Sequence, residues 1–370
     1  MQILQNKKTF IFLLILSFLF NFLPSYAESN LKPPVLNSSD LAFNDHISAI
    51  VVDEMTGIAY VGGHFTKVGE VERNHLAAIG PDGTLLNWNP NADLPVYALA
   101  ISDSIIYVGG DLTKVKGTER NGLAAIGTDE TLKDWNPNVT GIVSALAIKD
   151  STIYVGGYFS KVGGIERNRL AAIRTDGTLQ NWNPNVTGNS INALITKDST
   201  IYAGGVFTKI EGIERNNLAA IGTDGTLLDW NPNADAFVTA LIIQDSTIYV
   251  GGGFTKINGR KRNYLAAIRT NGTLKRWTPN VNNSIFGLAM NDSTIYIGGA
   301  FTKINGRKRN YLAAIRPDGT LLNWNPNADG DNFTSIHTLA ISNSTIYIGG
   351  PFARGDSGPT PNFASFSIPK

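Results

Sequence analysis

The sequence predicts an all-β chain, a seven-bladed β-propeller of four-stranded antiparallel blades closed by an N-terminal strand that completes the last blade. Three observations predict it. A block of tyrosine, one residue and two glycines occurs seven times, beginning at Tyr60, Tyr107, Tyr154, Tyr202, Tyr249, Tyr296 and Tyr347. Successive copies lie 47, 47, 48, 47, 47 and 51 residues apart, a period that fits propeller blades rather than helical repeats. Each unit also divides into four apolar runs of strand length, none long enough for a helix.

The third unit shows the division. Strand a is expected at Ile142–Lys149, strand b at Thr152–Gly157, strand c at Arg169–Arg174 and strand d at Thr178–Trp182. Asp150-Ser151 joins a to b, and Asp176-Gly177 joins c to d. The second of these is a strong two-residue hairpin signal, because glycine accepts a positive φ. In the second unit Glu130 stands where that glycine is expected, which predicts a looser turn or one of another type.

Closure is read from a mismatch between the ends. The tyrosine block occurs seven times, but the strand-d tryptophan only six, at Trp88, Trp135, Trp182, Trp230, Trp277 and Trp324. After the last strand c, near Asn362–Phe366, the chain stops without an outer strand. Val35–Asn44 precedes the first strand a in the position of a strand d. It is expected to pair onto the last blade and hide the edge an open sheet presents.

Within the 370 residues, repetition makes 35–370 one domain, since each blade packs only on its neighbours. Residues 1–27 read as a signal peptide: Lys7 and Lys8, the apolar run Phe10–Leu23, then Ser25-Tyr26-Ala27 as a cleavage site. The run is short for a membrane span and is broken by Asn21 and Pro24. Residues 28–34 form a short linker, and no integral membrane span is expected after signal removal. The chain has no cysteine, which excludes a disulfide framework, a lipoprotein anchor and a thiolate metal site. Loss of Lys7 and Lys8 takes the formal net charge from +1 to −1. The expected compartment is secreted, periplasmic or cell-surface, and the expected state is a monomer.

The recurring Y-x-G-G-x-F-T-K-[VI], then R-N-x-L-A-A-I, then D-G-T-L, then W-N-P-N, resembles the delta-60 repeat family of secreted bacterial β-propellers. The resemblance covers residues 35–370 and implies a propeller and secretion, with no defined activity. A looser likeness joins Ala172–Trp182 to the docking motif of quinoprotein propellers. This chain departs from that motif at its Asp and Lys positions and lacks the adjacent cysteines, so no pyrroloquinoline quinone or other cofactor is expected.

Structural roles account for most recurring residues. The glycine pair lets neighbouring blades approach, with the tryptophan covering the space. An Arg-Asn pair recurs in six units, from Arg73-Asn74 to Arg309-Asn310, and hydrogen bonds to loop backbone explain it better than catalysis does. In Trp-Asn-Pro-Asn the proline ends strand d and the asparagine suits the turn.

Catalytic constellations are scarce. His46, His64, His75 and His337 fall in different units or at different unit positions, without the spacing of a metal pair, and only convergence in space would join them. No nucleophile elbow or phosphate-binding glycine loop is present. Asn327–Asn332 alternates acidic and amide side chains as calcium loops do, but lacks the later glycine and acid. Arg354-Gly355-Asp356 spells an adhesion tripeptide, although Gly-Asp is also ordinary turn chemistry.

The asymmetry lies in loop length and charge. Connections a–b and c–d are tight, whereas b–c and d–a are long and emerge on one face, the expected binding surface. Lys67, Lys114, Lys161, Lys209, Lys256, Lys303 and Arg354 give that face one cation per unit. Where the third unit reads Ile165-Glu166, the fifth and sixth read Arg260-Lys261 and Arg307-Lys308, a local change of +6 in all. Arg260, Lys261, Arg307, Lys308, Lys256 and Lys303 are therefore the candidate binding residues, for a protein or an anionic polymer. Nucleic acid is not expected, since Tyr264 and Tyr311 are the only aromatics interleaved with the basic sector. The leading expectation is a non-enzymatic binding scaffold. An enzyme with a site over the axial channel, such as a hydrolase, and an adhesin are the alternatives.

Overall fold

The structure is a computed structural model that describes residues 41–291, 293–326, 335–342, 344–351 and 362–368. All of them lie in one unit, Pro33–Lys370. The signal peptide, the linker, Asn327–Asn332 and Arg354–Asp356 lie outside the described residues.

Among the described residues there is no helix, and seven antiparallel sheets follow one another with the same order, strand a beside b beside c. The inner strands a are Ile47–Val52, Val96–Ser102, Val139–Lys149, Val186–Lys197, Val238–Gln244, Ile285–Asn291 and Thr338–Ser342. Each packs against the strand a of the next sheet, and the seventh packs against the first. Strand b of each sheet ends in the glycine pair. A Cβ on the first glycine would meet the next sheet's aliphatic residue, as Gly62 meets Val96 Cγ1 at 2.5 Å and Gly349 meets Ile47 Cγ2 at 2.5 Å. The glycine is therefore a spacing device: any side chain there forces two sheets apart.

The hydrophobic core is correspondingly split into clusters lying between sheets. Tyr60, Leu76 and Trp88 of the first sheet pack with Val96, Ile106 and Val115 of the second. Trp88 meets Tyr60 edge-on at 5.0 Å and donates from Nε1 to the Gly127 carbonyl of the second sheet at 3.1 Å. Trp135, Trp182 and Trp230 repeat that bond to Arg174, Gly222 and Arg269. Burial pushes the Tyr60 phenol up to about 12, so it stays protonated and apolar in behaviour at neutral pH.

The expected strand d forms only in part. Six outer segments pair with strand c through a single bridge each, such as Ile173↔Leu179, because the Trp-Asn-Pro run turns away to bury its tryptophan. The Arg-Asn pairs behave as expected. Arg167 Nη2 donates to the Gln180 carbonyl at 3.0 Å, fastening the outer segment, and Asn168 Nδ2 donates to Asn185 Oδ1 at 3.0 Å. The Glu130 turn does not loosen. Glu130 takes φ 67 and makes the same backbone bond to Gly127 that Gly177 makes to Arg174, 2.9 Å in both. An ion pair of 2.9 Å to Lys116 accompanies the strained backbone.

Of Val35–Asn44, residues 41–44 are described. Leu41 and Phe43 are buried with Ile47 and Val61 of the first sheet and Tyr347 and Phe363 of the last. Asn362 Nδ2 donates to the Phe43 carbonyl at 2.8 Å. Phe43 bridges to Val68 in the b–c hairpin of the first unit, so among the described residues the strand pairing of this segment is with the first unit and not with the last sheet that the sequence predicts.

Candidate functional site

The b–c connections carry the predicted cations, and they are not open loops. Each described one folds into a two-residue hairpin, for example Lys161-Val162 against Ile165-Glu166. In the fifth and sixth sheets the turns are Asn258-Gly259 and Asn305-Gly306, all four residues at positive φ, the two-residue hairpin chemistry of an Asn-Gly pair. The d–a connections lie against these hairpins. Asp93 Oδ1 accepts from Thr113 N and Lys114 N at 2.8 Å, and Asp235 Oδ1 accepts from Thr255 N and Lys256 N at 2.7 and 2.9 Å.

Register decides the electrostatics. In the first four sheets the hairpin sets Lys67 opposite Glu72, Lys114 opposite Glu119, Lys161 opposite Glu166 and Lys209 opposite Glu214. In the fifth, Lys256 stands opposite Lys261, and in the sixth, Lys303 stands opposite Lys308. All six candidate binding residues are exposed. Burial, followed by the Arg260 guanidinium, pulls Arg262 below the ordinary arginine value, and burial followed by Arg307 does the same to Arg309. The fold thus assembles the predicted residues in two groups of three, on hairpins of neighbouring sheets.

A second locus lies where the inner strands meet. A cavity of about 240 Å³ is lined by residues from all seven of them, with Ser48, Tyr97, Ser144, Asn192, Thr239, Phe286 and His337 at equivalent positions. On one arc the polar members are already used between sheets: Ser144 Oγ donates to the Ile191 carbonyl at 2.9 Å and Thr239 Oγ1 to the Ile285 carbonyl at 2.7 Å. The opposite arc is aromatic. Phe286 and His337 have ring centres 5.2 Å apart, His337 and His46 6.0 Å, His46 and His64 3.8 Å, and His64 and Tyr97 5.3 Å.

Three of the four histidines therefore converge, from the first and the seventh sheets. His337 Nε2 shares a 2.8 Å hydrogen bond with Ser335 Oγ, and His46 Nδ1 lies 3.0 Å from Asp45 Oδ1. Burial, then the charge of His46, lowers His64. Burial, then His46 and His64, lowers His337 to about 4. For Asp45 burial acts upward, but its hydrogen bonds with His46 outweigh it and hold the carboxyl below the usual range. The chemistry on offer is three imidazoles, of which His64 and His337 are biased toward the neutral form, with one carboxylate and one buried hydroxyl. Among the described residues no three His, Asp or Glu side chains form a group that could hold a metal ion.

The fourth histidine belongs to a different series. The residue before strand c sits in the left-handed region and gives its carbonyl to the second glycine of the pair, as His75 does to Gly63 at 3.1 Å. Its counterparts are Gly122, Arg169, Asn217, Tyr264, Tyr311 and Asn362, all at positive φ. The backbone role is constant and the side chain varies, even though His, Arg and Tyr each pay about 1 kcal/mol for that conformation.

Sequence reasoning missed the histidine convergence and the hairpins. Asn-Gly between Lys-Ile and Arg-Lys carried the hairpin signal. No local signal marks the histidines, because His46 and His337 meet only when the last sheet packs on the first.

Comparison with known proteins agrees with this geometry. A family profile described as a domain of unknown function, DUF5122, β-propeller, matches residues 149–179, 244–274 and 291–321. Each stretch runs from the a–b turn of one sheet to its outer segment. Among curated proteins none matches. Among solved structures, the chain is similar to the extracellular domain of the putative hybrid two-component system BT4673 from B. thetaiotaomicron, at 18% identity and TM-score 0.56, over 87% of this chain and 38% of that one. It is similar to the WD40 β-propeller domain of Doa1 at 9% identity and TM-score 0.62, over 91% and 98% of the two chains. A chain of the mitotic checkpoint complex gives 12% identity and TM-score 0.63, over 99% and 100%. At such identities the likeness concerns the fold alone, and that fold is a β-propeller.

Proposed function

We propose that the protein is an exported, non-enzymatic binding scaffold, a seven-bladed propeller whose last blade is completed by Val35–Asn44. Its long-connection face engages an anionic partner through Arg260, Lys261, Arg307, Lys308, Lys256 and Lys303. The observation that carries this reading is the like-charge register of Lys256 with Lys261 and of Lys303 with Lys308. Like charges directly opposite destabilise a strand pair by up to about 1 kcal/mol. In the first four sheets the same hairpin sets glutamate opposite the lysine, and in the fifth a bound anion would take the place of that glutamate. Near-duplication of the two blades explains why both carry the pattern.

Reversing Arg260, Lys261, Arg307 and Lys308 to Glu is expected to abolish partner binding at low ionic strength. The melting temperature should not fall, because the reversal sets Glu opposite Lys256 and Lys303 and exposed charges otherwise contribute little. Wild-type binding should weaken as salt shortens the screening length to roughly 8–10 Å. Unaltered binding by the quadruple variant removes the basic sector as the site.

Export rests on the signal-like residues 1–27 and on the delta-60 resemblance, and one structural neighbour is itself an extracellular domain. The exported chain should begin at Glu28, which its intact mass decides. Closure rests on the burial of Leu41 and Phe43 between the first and last sheets. Deleting Val35–Asn44 should cause aggregation or a large loss of stability, and a truncated chain that melts like the mature one refutes that assignment.

A second reading, a catalytic site over the axial channel, is favoured by the Ser335–His337 hydrogen bond beside His46 and His64. Hydrolysis of a panel of activated esters, lost in Ser335→Ala, supports it. Turnover no faster than buffer dismisses it as an esterase.

A further inference from the structure

Seven large hydrophobic side chains are exposed among the described residues, and four of them fall on two adjacent sheets: Tyr158 and Ile165 on the third, Val206 and Ile213 on the fourth. Their exposures are 55%, 54%, 36% and 52%. Single exposed hydrophobics are ordinary, whereas several repeated at matching places on two neighbouring sheets point to a contact surface. The two pairs occupy equivalent positions. Tyr158 and Val206 follow the glycine pair, and Ile165 and Ile213 open the second strand of the hairpin. In the fifth and sixth sheets those positions hold Gly253, Ala300, Arg260 and Arg307.

The third and fourth sheets differ in backbone as well. Their strands a and b run on to 11 or 12 residues, as in Val186–Lys197 and Thr200–Ile210, where the fifth sheet stops at 7 and 6. The apolar side chains therefore stand on paired strands, which hold them in place at little further entropic cost on binding. Beside them a groove of about 490 Å³ runs from Val206 and Phe207 across Asn217 and Ala234 to Asp235. Asp235 is bonded to the backbone of Thr255 and Lys256, so the groove ends at the first cationic hairpin. Its carboxylate is satisfied there by Thr255 Oγ1 as well, at 2.7 Å.

We propose that the apolar side chains of the third and fourth sheets, this groove and the cationic hairpins of the fifth and sixth form one track for a protein segment that joins an apolar stretch to an acidic one. The inference rests on the basic-sector reading and narrows it from any anion to a polypeptide. Charge complementarity fixes one end of the segment. Ile165, Val206 and Ile213 fix the other, because an aliphatic side chain offers a sugar or a nucleobase neither a hydrogen bond nor a stacking plane, yet gains from excluding water with another apolar group.

The test uses the mature chain and fluorescent probes at fixed salt: a peptide joining a leucine and phenylalanine stretch to a glutamate run, made in both orders and scored by the tighter, its alanine-for-apolar version, polyglutamate of equal charge, and heparin. The apolar-acidic peptide should bind at least about tenfold more tightly than the other three. The triple variant Tyr158→Ser, Val206→Ser, Ile213→Ser should lose about that factor for the peptide and keep its affinity for polyglutamate. Tyr158→Phe should bind as wild type, which separates lost apolar contact from lost fold. If polyglutamate or heparin binds as well as the peptide, or the triple variant binds the peptide unchanged, the track is wrong while the basic sector stands. If the four-fold charge reversal also binds every probe unchanged, or the wild type binds none, both readings fall.

Discussion

His46 and His337 meet across the contact between the first and last sheets, with ring centres 6.0 Å apart and planes inclined at 75°. His337 makes that contact sensitive to protons. His337 is held at about 4, by burial first and then by His46 and His64, against 6.5 for the free side chain. Around it stand His46, His64, the Asp45 carboxylate bonded to His46, Phe286 and the Ser335 hydroxyl.

The sign follows from which state takes the proton. Above pH 6.5 His337 is neutral whether the chain is folded or not, and it contributes nothing to pH dependence. Between about 6.5 and 4 the unfolded chain is protonated and the folded one is not, so stability falls with pH, by about 3 kcal/mol at the limit. Below about 4 both states are protonated and the loss goes no further. Urea unfolding at pH 7 and pH 4 should show this drop, and His337→Gln should flatten it. An equal drop in the variant assigns the acid sensitivity to other groups.

Gly349 should tolerate no larger residue. A Cβ there comes within 2.5 Å of Ile47 Cγ2 and 2.9 Å of Thr338 Cγ2, so Gly349→Val must push the last sheet off the first. The expected loss is about 1–3 kcal/mol, the usual cost of overpacking, read as a lower urea midpoint. A midpoint equal to wild type shows that the two sheets are not packed as described.

Lys261→Glu and Lys308→Glu should make the protein more stable and less able to bind. Each restores the Lys–Glu register of the first four sheets, for a gain of a few tenths to about 1 kcal/mol. Calorimetry on the double variant gives the stability change, and the anionic probes give the binding change. A double variant that gains no stability shows that the like-charge register is harmless and takes away the reason for assigning it a partner.

Much of this architecture was legible because the repeat compares the chain with itself. The glycine pairs recur in all seven sheets and the tryptophans and Arg-Asn pairs in six, each in register. Two things were hidden. Strand d looked like a full strand because Leu179 and Trp182 are both apolar, yet only Leu179 pairs in the ladder and Trp182 turns into the gap between sheets. The histidines were hidden for a different reason, since His46, His64 and His337 share no local pattern and their proximity depends on packing between the chain's two ends. The basic residues lay between these cases: their charge was plain in the sequence, but their register across a hairpin was not.

Lys256–Arg269 and Lys303–Arg316 are identical in sequence, and each begins with one of the two cationic hairpins. If these hairpins bind anions as proposed, two copies of one contact on neighbouring sheets would make the face bivalent. A partner with anionic groups at the matching separation would then bind the second copy intramolecularly, at the high effective concentration that a fixed spacing confers. Individually weak contacts would add up to firm attachment, while a single free anion, meeting one hairpin at a time, would be released. Between partners of like chemistry, such a pair of contacts would discriminate by the spacing of the anionic groups, a property supplied by repetition itself.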